Sequence, residues 1–368
     1  MPQIAIREIL LPEAVDAPGW EEYAHYFELY SDTQQYAYGT PDVRFDPRDA
    51  LAWHLDPDQP RRMWIAAVDG VDVGLGEHSH LLAETADASW IDLYLCRGAD
   101  GRGGAATVDP AAAEEARARL AEVTEEVARS VGSTRMIAYL PTPESPGPRL
   151  SPPTGSGSVP ADDPDVRWMG ANGWRLEQVE RGSRLALPAD AARVASLLAE
   201  AEAASPGYRV HVWRGVTPER WREDLAVLNN RMSTDAPSAG LEEPEDPWTA
   251  ERVAESEARA EANGGTRITA AVEHEASGRL VGYTRLMVSD RATRPVSQWA
   301  TLVLREHRGH RLGMRLKAAN LQSLAHDGPA RPSVVTWNAE ENRHMLSVNE
   351  ALGFEPIGYE GAWRKDLA

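Results

Sequence analysis

Residues 298–320, QWATLVLREHRGHRLGMRLKAAN, restrict what this chain can fold into more than any other stretch. A β-branched and apolar run, Trp299 to Leu304, predicts a strand. A basic turn punctuated by glycine follows, Arg308-Gly309-His310-Arg311-Leu312-Gly313. Leu312, Leu316, Ala319 and Leu324 then recur at helical spacing. A strand that enters a helix through such a turn offers free backbone N–H groups and the positive end of a helix dipole to an anion. Gly309 and Gly313 let the backbone approach that anion, while Arg308, His310 and Arg311 add charge. A pyrophosphate suits the arrangement better than a single carboxylate does. An ordinary strand-to-helix turn with solvated arginines uses the same residues, and short glycine motifs also match by chance.

The sequence that follows narrows the choice. Val334 to Trp337 predicts a second buried strand, running into Asn338-Ala339-Glu340-Glu341-Asn342 and a short helix, Arg343 to Leu352, closed by Gly353-Phe354. This order resembles the GNAT superfamily of N-acetyltransferases. Arg308 and Gly313 match the ends of that family's cofactor signature, Gln/Arg-x-x-Gly-x-Gly/Ala. Asn342, Met345, Leu352, Gly353 and Phe354 match its later pattern ending in Leu-Gly-Phe. Two positions depart from the family: Arg311 stands where the first glycine usually is, and Asn349 stands where a tyrosine is frequent.

At 368 residues the chain is long enough for two or three domains. Its 42% hydrophobic and 26% charged content is that of a soluble globular protein, and no apolar run is long enough to cross a bilayer. The N-terminus lacks the basic-then-apolar layout of a signal peptide. The single cysteine, Cys96, excludes an intrachain disulfide framework and fits a cytoplasmic location; it reads as a core thiol. No Cys/His cluster has metal-ligand spacing, so no metal is expected. Most of the net charge of −19 lies before Gly207, which argues against nucleic acid or an anionic membrane as the main partner. The oligomeric state, monomer or homodimer, is not encoded legibly.

In the first half, residues 20–38 and 47–55 read as helices. Met63 to Val68, Val71 to Leu81 and Ser89 to Cys96 read as strands around the turn Asp69-Gly70. A glycine-rich turn, Arg97 to Gly104, precedes a helix from Asp109 to Val131 with Asp109 as its cap and Pro110 at its first position. Met136 to Leu140 is another strand. The order again resembles GNAT, with Ala171-Asn172-Gly173-Trp174 similar to a worn Leu-Gly-Phe signature. Asp100 in the turn and the extra residues 105–109 before the helix speak against a bound pyrophosphate. The resemblance therefore implies an α/β (α+β) chain of two GNAT-like domains, each with a mixed, mostly antiparallel central sheet flanked by helices. Residues 1–188 form the degenerate domain, with a disordered Pro/Gly/Ser-rich insertion at about 142–165. A helical linker covers 189–206, and the cofactor-binding domain covers 207–368.

By that resemblance the second half implies an acetyl-CoA-dependent N-acetyltransferase, using acetyl-CoA or another short acyl-CoA. It would act on the primary amine of a small, cationic molecule by direct attack in a ternary complex. Leu302, Val303 and Leu304 would run beside the thioester arm, residues 308–313 would grip the pyrophosphate, and Asn338 and Asn342 would touch the arm or the phosphate. The acidic loop 233–248 commonly borders the acceptor site in the family, so Asp235, Glu242 and Glu243 are candidates to meet an ammonium; a solvated acidic loop is the alternative. With no tyrosine at Asn349, Tyr283, His307 or Tyr359 would have to serve as acid and Glu273 or a water chain as base. The missing tyrosine equally suits a non-catalytic acyl-CoA sensor or a pseudo-enzyme.

Overall fold

The computed structural model describes residues 2–83, 86–235, 237–326 and 331–367. The first half runs β1 (Ile4–Ile9), α1 (Trp20–Tyr38), α2 (Pro47–His54), β2 (Arg61–Val68), β3 (Val71–His80), β4 (Ala88–Leu95), α3 (Pro110–Ser130) and β5 (Arg135–Thr142). A short ribbon, β6 (Arg149–Leu150) and β7 (Val159–Pro160), then leads through α4 (Pro164–Ala171) to β8 (Arg175–Ala186). Helix α5 (Ala191–Ala203) joins this to β9 (Tyr208–Arg214), α6 (Arg222–Asp235), α7 (Ala250–Ala262), β10 (Gly265–His274), β11 (Arg279–Ser289) and β12 (Val296–Val303). The chain closes with α8 (Leu312–His326), β13 (Ser333–Ala339), α9 (Arg343–Leu352) and β14 (Glu355–Asp366). No described helix is long and apolar enough to cross a membrane.

Twelve of these strands form one sheet, in the order β1-β2-β3-β4-β5-β14-β8-β13-β12-β11-β10-β9. All neighbours are antiparallel except β4/β5 and β12/β13. The two halves exchange their last strands. β14, the end of the second half, lies between β5 and β8, while β8, the end of the first, lies between β14 and β13. Each half thus satisfies the backbone of the other's edge, and the sheet runs unbroken across the linker.

Helices cover both faces of each half. Leu120, Val127 and Ala116 of α3 pack on one face of the first half, and Tyr23, Phe27 and Leu51 of α1 and α2 pack on the other. In the second half, α8 places Met314, Ala318 and Leu321 against α5 and α9, while Leu225, Leu228 and Val253 of α6 and α7 cover the opposite face. Cys96 is buried among aromatic and aliphatic side chains, and burial pushes its thiol up, as a core residue's would be. The stretch 142–165, expected to be a disordered insertion, carries the β6/β7 ribbon. It is pinned by Val159, fully buried in the first-half core, and by Asp165 paired with Arg117 at 2.6 Å. Proline and glycine there remove helical and strand periodicity without removing anchor points.

Because each half borrows a strand, neither should fold well alone. Fragments 1–206 and 207–368 are expected to show no cooperative thermal transition separately and to regain one on mixing. Two sharp transitions from the isolated fragments would contradict the exchange.

Candidate active site

The site begins where two parallel strands part. β12 pairs with β13 only at Val296/Val334 and Ser297/Val335. Just beyond, β12 carries an irregularity: Thr301 lies opposite Thr284 and Gln298 opposite Leu286, so Trp299 and Ala300 together face Arg285 alone. This extra residue bends β12 away from β13 and opens a cleft between them. The Leu304 N–H bonds to the Val281 carbonyl at 2.9 Å. The alternation of an antiparallel ladder then turns the backbone of Leu302 and Leu304 toward β11, and that of Thr301 and Val303 into the cleft. Of the three residues expected beside a thioester arm, Val303 faces the cleft through its backbone; Thr301 joins it, a position that sequence periodicity alone does not mark.

At the cleft's mouth the chain makes the basic turn. The amides of residues 309–314 make no hydrogen bond to protein among the described residues; the first backbone bond of the following helix is Arg315 N–H to the Arg311 carbonyl, 3.1 Å. Neither an acidic residue nor a capping side chain occupies the start of α8. Unfilled N–H groups at a helix start favour an anion. A Cβ added at Gly309 or Gly313 would meet nothing within 4 Å, so both glycines face open space. Arg311 adopts a left-handed φ of 53°, the conformation a glycine would take most easily. Its guanidinium reaches Glu200 of α5 at 3.0 Å, and that of Arg308 bonds to the Val303 carbonyl and to Asp235. Leu312 is buried beneath the turn, and His310 stacks by Tyr208.

The matching turn of the first half is closed to an anion. Asp100 accepts from the Arg102 N–H, Ala105 N–H bonds to the Cys96 carbonyl, and Asp109 caps α3 through the Ala112 N–H. Cβ atoms at Gly101 and Gly104 would fall 2.7 Å from Tyr36 and 2.5 Å from the Cys96 carbonyl oxygen. These glycines serve tight packing. Near the parting of β4 and β5, burial pushes the carboxyls of Asp92, Glu180 and Glu360 upward, with neighbouring carboxylates adding to the rise at Asp92 and Glu180.

On the face of β11 and β12 covered by α6 and α7, a chamber of about 480 Å³ lies between the two halves. Tyr283, Trp299 and Ala300 form part of its wall, with Trp53 and Trp90 from the first half. No protein-family model matches the chain, and no curated protein matches it in sequence. Solved structures do. A tandem GNAT protein from the clavulanic acid biosynthesis pathway superposes with a TM-score of 0.67 at 21% identity, over 99% of this chain and 98% of that one. A GCN5-related N-acetyltransferase from Sphaerobacter thermophilus gives 0.60 at 13% identity, over 99% and 95%. The chain has the tandem GNAT fold.

Within that fold the expected catalytic residues separate. Tyr283 lines the chamber, its hydroxyl donating to Asn229 Oδ1 at 2.7 Å, and burial pushes the phenol up to about 12. Glu273 lies toward the far end of β10, paired with His211 at 2.7 Å. His307 accepts from or donates to Tyr208 at 2.9 Å within a cluster with His274, beside the β9 edge. The acidic candidates are also engaged. Asp235 pairs with Arg305 and Arg308, Glu242 with Arg364, and Glu243 accepts from Tyr139 at 2.6 Å. Glu243 alone of these lines the chamber. Asn342 caps α9 through the Met345 N–H, and Asn338 accepts from Asn349.

At the place of the GNAT tyrosine, Asn349 is held between two partners. Its Oδ1 accepts from Lys317 Nζ at 2.8 Å, and its Nδ2 donates to Asn338 Oδ1 at 2.8 Å. Lys317 is fully buried on α8, and burial lowers its amine to about 7. Sequence reasoning missed it because a lysine two residues after Arg315, on a helix entered through a basic turn, looks like a surface residue. The unfolded chain holds this proton up to the ordinary lysine range, the folded one only to about 7. Stability should therefore rise with pH across that interval. Thermal melts of wild type against Lys317→Met from pH 6 to 10 (~1-unit steps) are expected to show wild type gaining relative to the variant; parallel curves would refute a depressed amine.

Proposed function

We propose that the protein is an acetyl-CoA-dependent N-acetyltransferase whose working site lies in the C-terminal half, acting on the primary amine of a small molecule. The observation that carries this is the run of unbonded amides at residues 309–314 beside the cleft between β12 and β13. A nucleotide diphosphate fits those amides, and a thioester arm fits the cleft alongside Thr301 and Val303. Acetyl-CoA supplies the acyl group as a thioester. The amine nitrogen attacks its carbonyl carbon, the carbon–sulfur bond breaks, the nitrogen loses a proton and the sulfur gains one. Direct attack is favoured because the only cysteine is buried in the other half.

Within this reading Tyr283 is the candidate acid. It lines the chamber from the strand beside Leu302, and its raised pKa keeps it protonated at neutral pH. Glu273 and His307 are set apart by their own partners, which leaves water as the route for the amine's proton. The first half serves as a scaffold that closes the chamber. A non-catalytic acyl-CoA sensor is the second reading, motivated by Asn349; it predicts cofactor binding without thiol release for any amine.

Gly313→Asp places a carboxylate among the free amides without a steric clash, since that Cβ has open space. Calorimetry should show at least ~100-fold weaker acetyl-CoA binding than wild type; unchanged affinity would remove the cofactor assignment. Tyr283→Phe should retain acetyl-CoA affinity while lowering kcat by about 100-fold. An unchanged kcat would assign the acid elsewhere.

A further inference from the structure

Resting on that acyl-transfer site, we propose that the acceptor carries a carboxylate and a flat apolar ring as well as its amine, and that Arg285 and Arg267 hold the carboxylate in the chamber between the halves. Arg285 projects from β11 opposite the bulge that opens the cleft. It is only 8% exposed, and its Nε and Nη2 have no hydrogen-bond partner among the described residues. Its nearest carboxylate, Glu257, stands 3.6 Å away and already accepts from the Thr217 N–H and hydroxyl. Arg267, two register positions along on β10, is 7% exposed; its Nη2 donates to Ser256 and its Nε is unpartnered. Two buried guanidinium groups therefore share one buried carboxylate, Glu257, which lies in ion-pair range of Arg285 without a hydrogen bond to it. Such an arrangement is costly unless an anion completes it.

The other arginines around the chamber are already matched, while the one acidic-loop carboxylate in its wall, Glu243, accepts from Tyr139. Arg252 bonds to Asp246 at 2.5 Å, Arg259 to Asp56 at 3.2 Å, and Arg61 to Glu77 at 2.5 Å. The positive charge without a hydrogen-bonded carboxylate is thus local to Arg267 and Arg285, although the whole chain is acidic and Glu243 lies elsewhere in the wall. A guanidinium fork matches a planar oxyanion. The ring is inferred from Trp53 and Trp299, whose centroids lie 4.5 Å apart at the chamber wall, one from each half. Such a molecule keeps an ammonium group, so it retains the amine chemistry while departing from a purely cationic acceptor.

Calorimetry on the full chain with two matched pairs tests this: phenylalanine against phenethylamine, and 4-(aminomethyl)benzoate against benzylamine. At least one carboxylate-bearing member is expected to bind about tenfold or more tightly than its partner. Arg285→Gln should erase that difference and Arg285→Lys should keep part of it, with melting curves confirming that each variant folds. Equal or weaker binding of both carboxylates, or no binding by any of the four at about 10 mM, would overturn the proposal. If Arg285→Gln does not fold, the wild-type preference decides. Acetyl-CoA binding is titrated separately. Its loss would sink the acyl-transfer reading without altering carboxylate selectivity, and the converse result would sink only the present inference.

Discussion

The structure depends on the parting of β12 from β13. Parallel pairing holds for two register positions and then stops, because an extra residue in β12 bends the strand away. That one irregularity has three consequences. It frees the backbone of Thr301 and Val303 from ladder bonding, it leaves the following turn at the mouth of a cleft, and it turns Trp299 and Ala300 toward the chamber opposite Arg285. A continuous β12/β13 ladder would satisfy those backbone groups internally and leave no room for an extended ligand.

The exchange of β8 and β14 explains why a half with a closed anion turn is retained in the architecture. Without β14, β5 would present an open edge, and without β8, β13 would do the same. The first half also supplies Trp53, Trp90 and Arg61 to the chamber wall. Its contribution is therefore both structural and steric: it completes the sheet and walls one side of the cavity. The difference between the two turns comes down to local hydrogen bonding. Asp100 and Asp109 fill the first one with side-chain acceptors, whereas the second has none.

Much of this was legible in the sequence because it is encoded locally. The strand, turn and helix around residues 298–320, the Asp109 cap and the Gly353 closure all follow from short-range rules, and they stand close to where periodicity places them. The free amides of the basic turn follow from the same rules. The strand exchange was not legible, since β8 and β14 look like ordinary final strands and their partners lie far away in sequence. Nor were the fates of Arg311, Asp235 and Glu273, each decided by a partner on another element: Glu200, Arg308 and His211. The acidic loop offered candidates to meet an ammonium, yet Asp235 and Glu242 are spent on arginines and Glu243 accepts from Tyr139. The residues left unmatched, Arg285 and Arg267, sit in strands whose apolar pattern hides them. Lys317 is the same kind of case on a helix.

Amide hydrogen exchange with and without acetyl-CoA tests the central claim most directly, because it reads the backbone groups themselves. New protection is expected at residues 309–314 and at Thr301 and Val303, with residues 98–106 of the first half unchanged. Protection confined to 98–106, or none in either turn at saturating acetyl-CoA, would contradict the account.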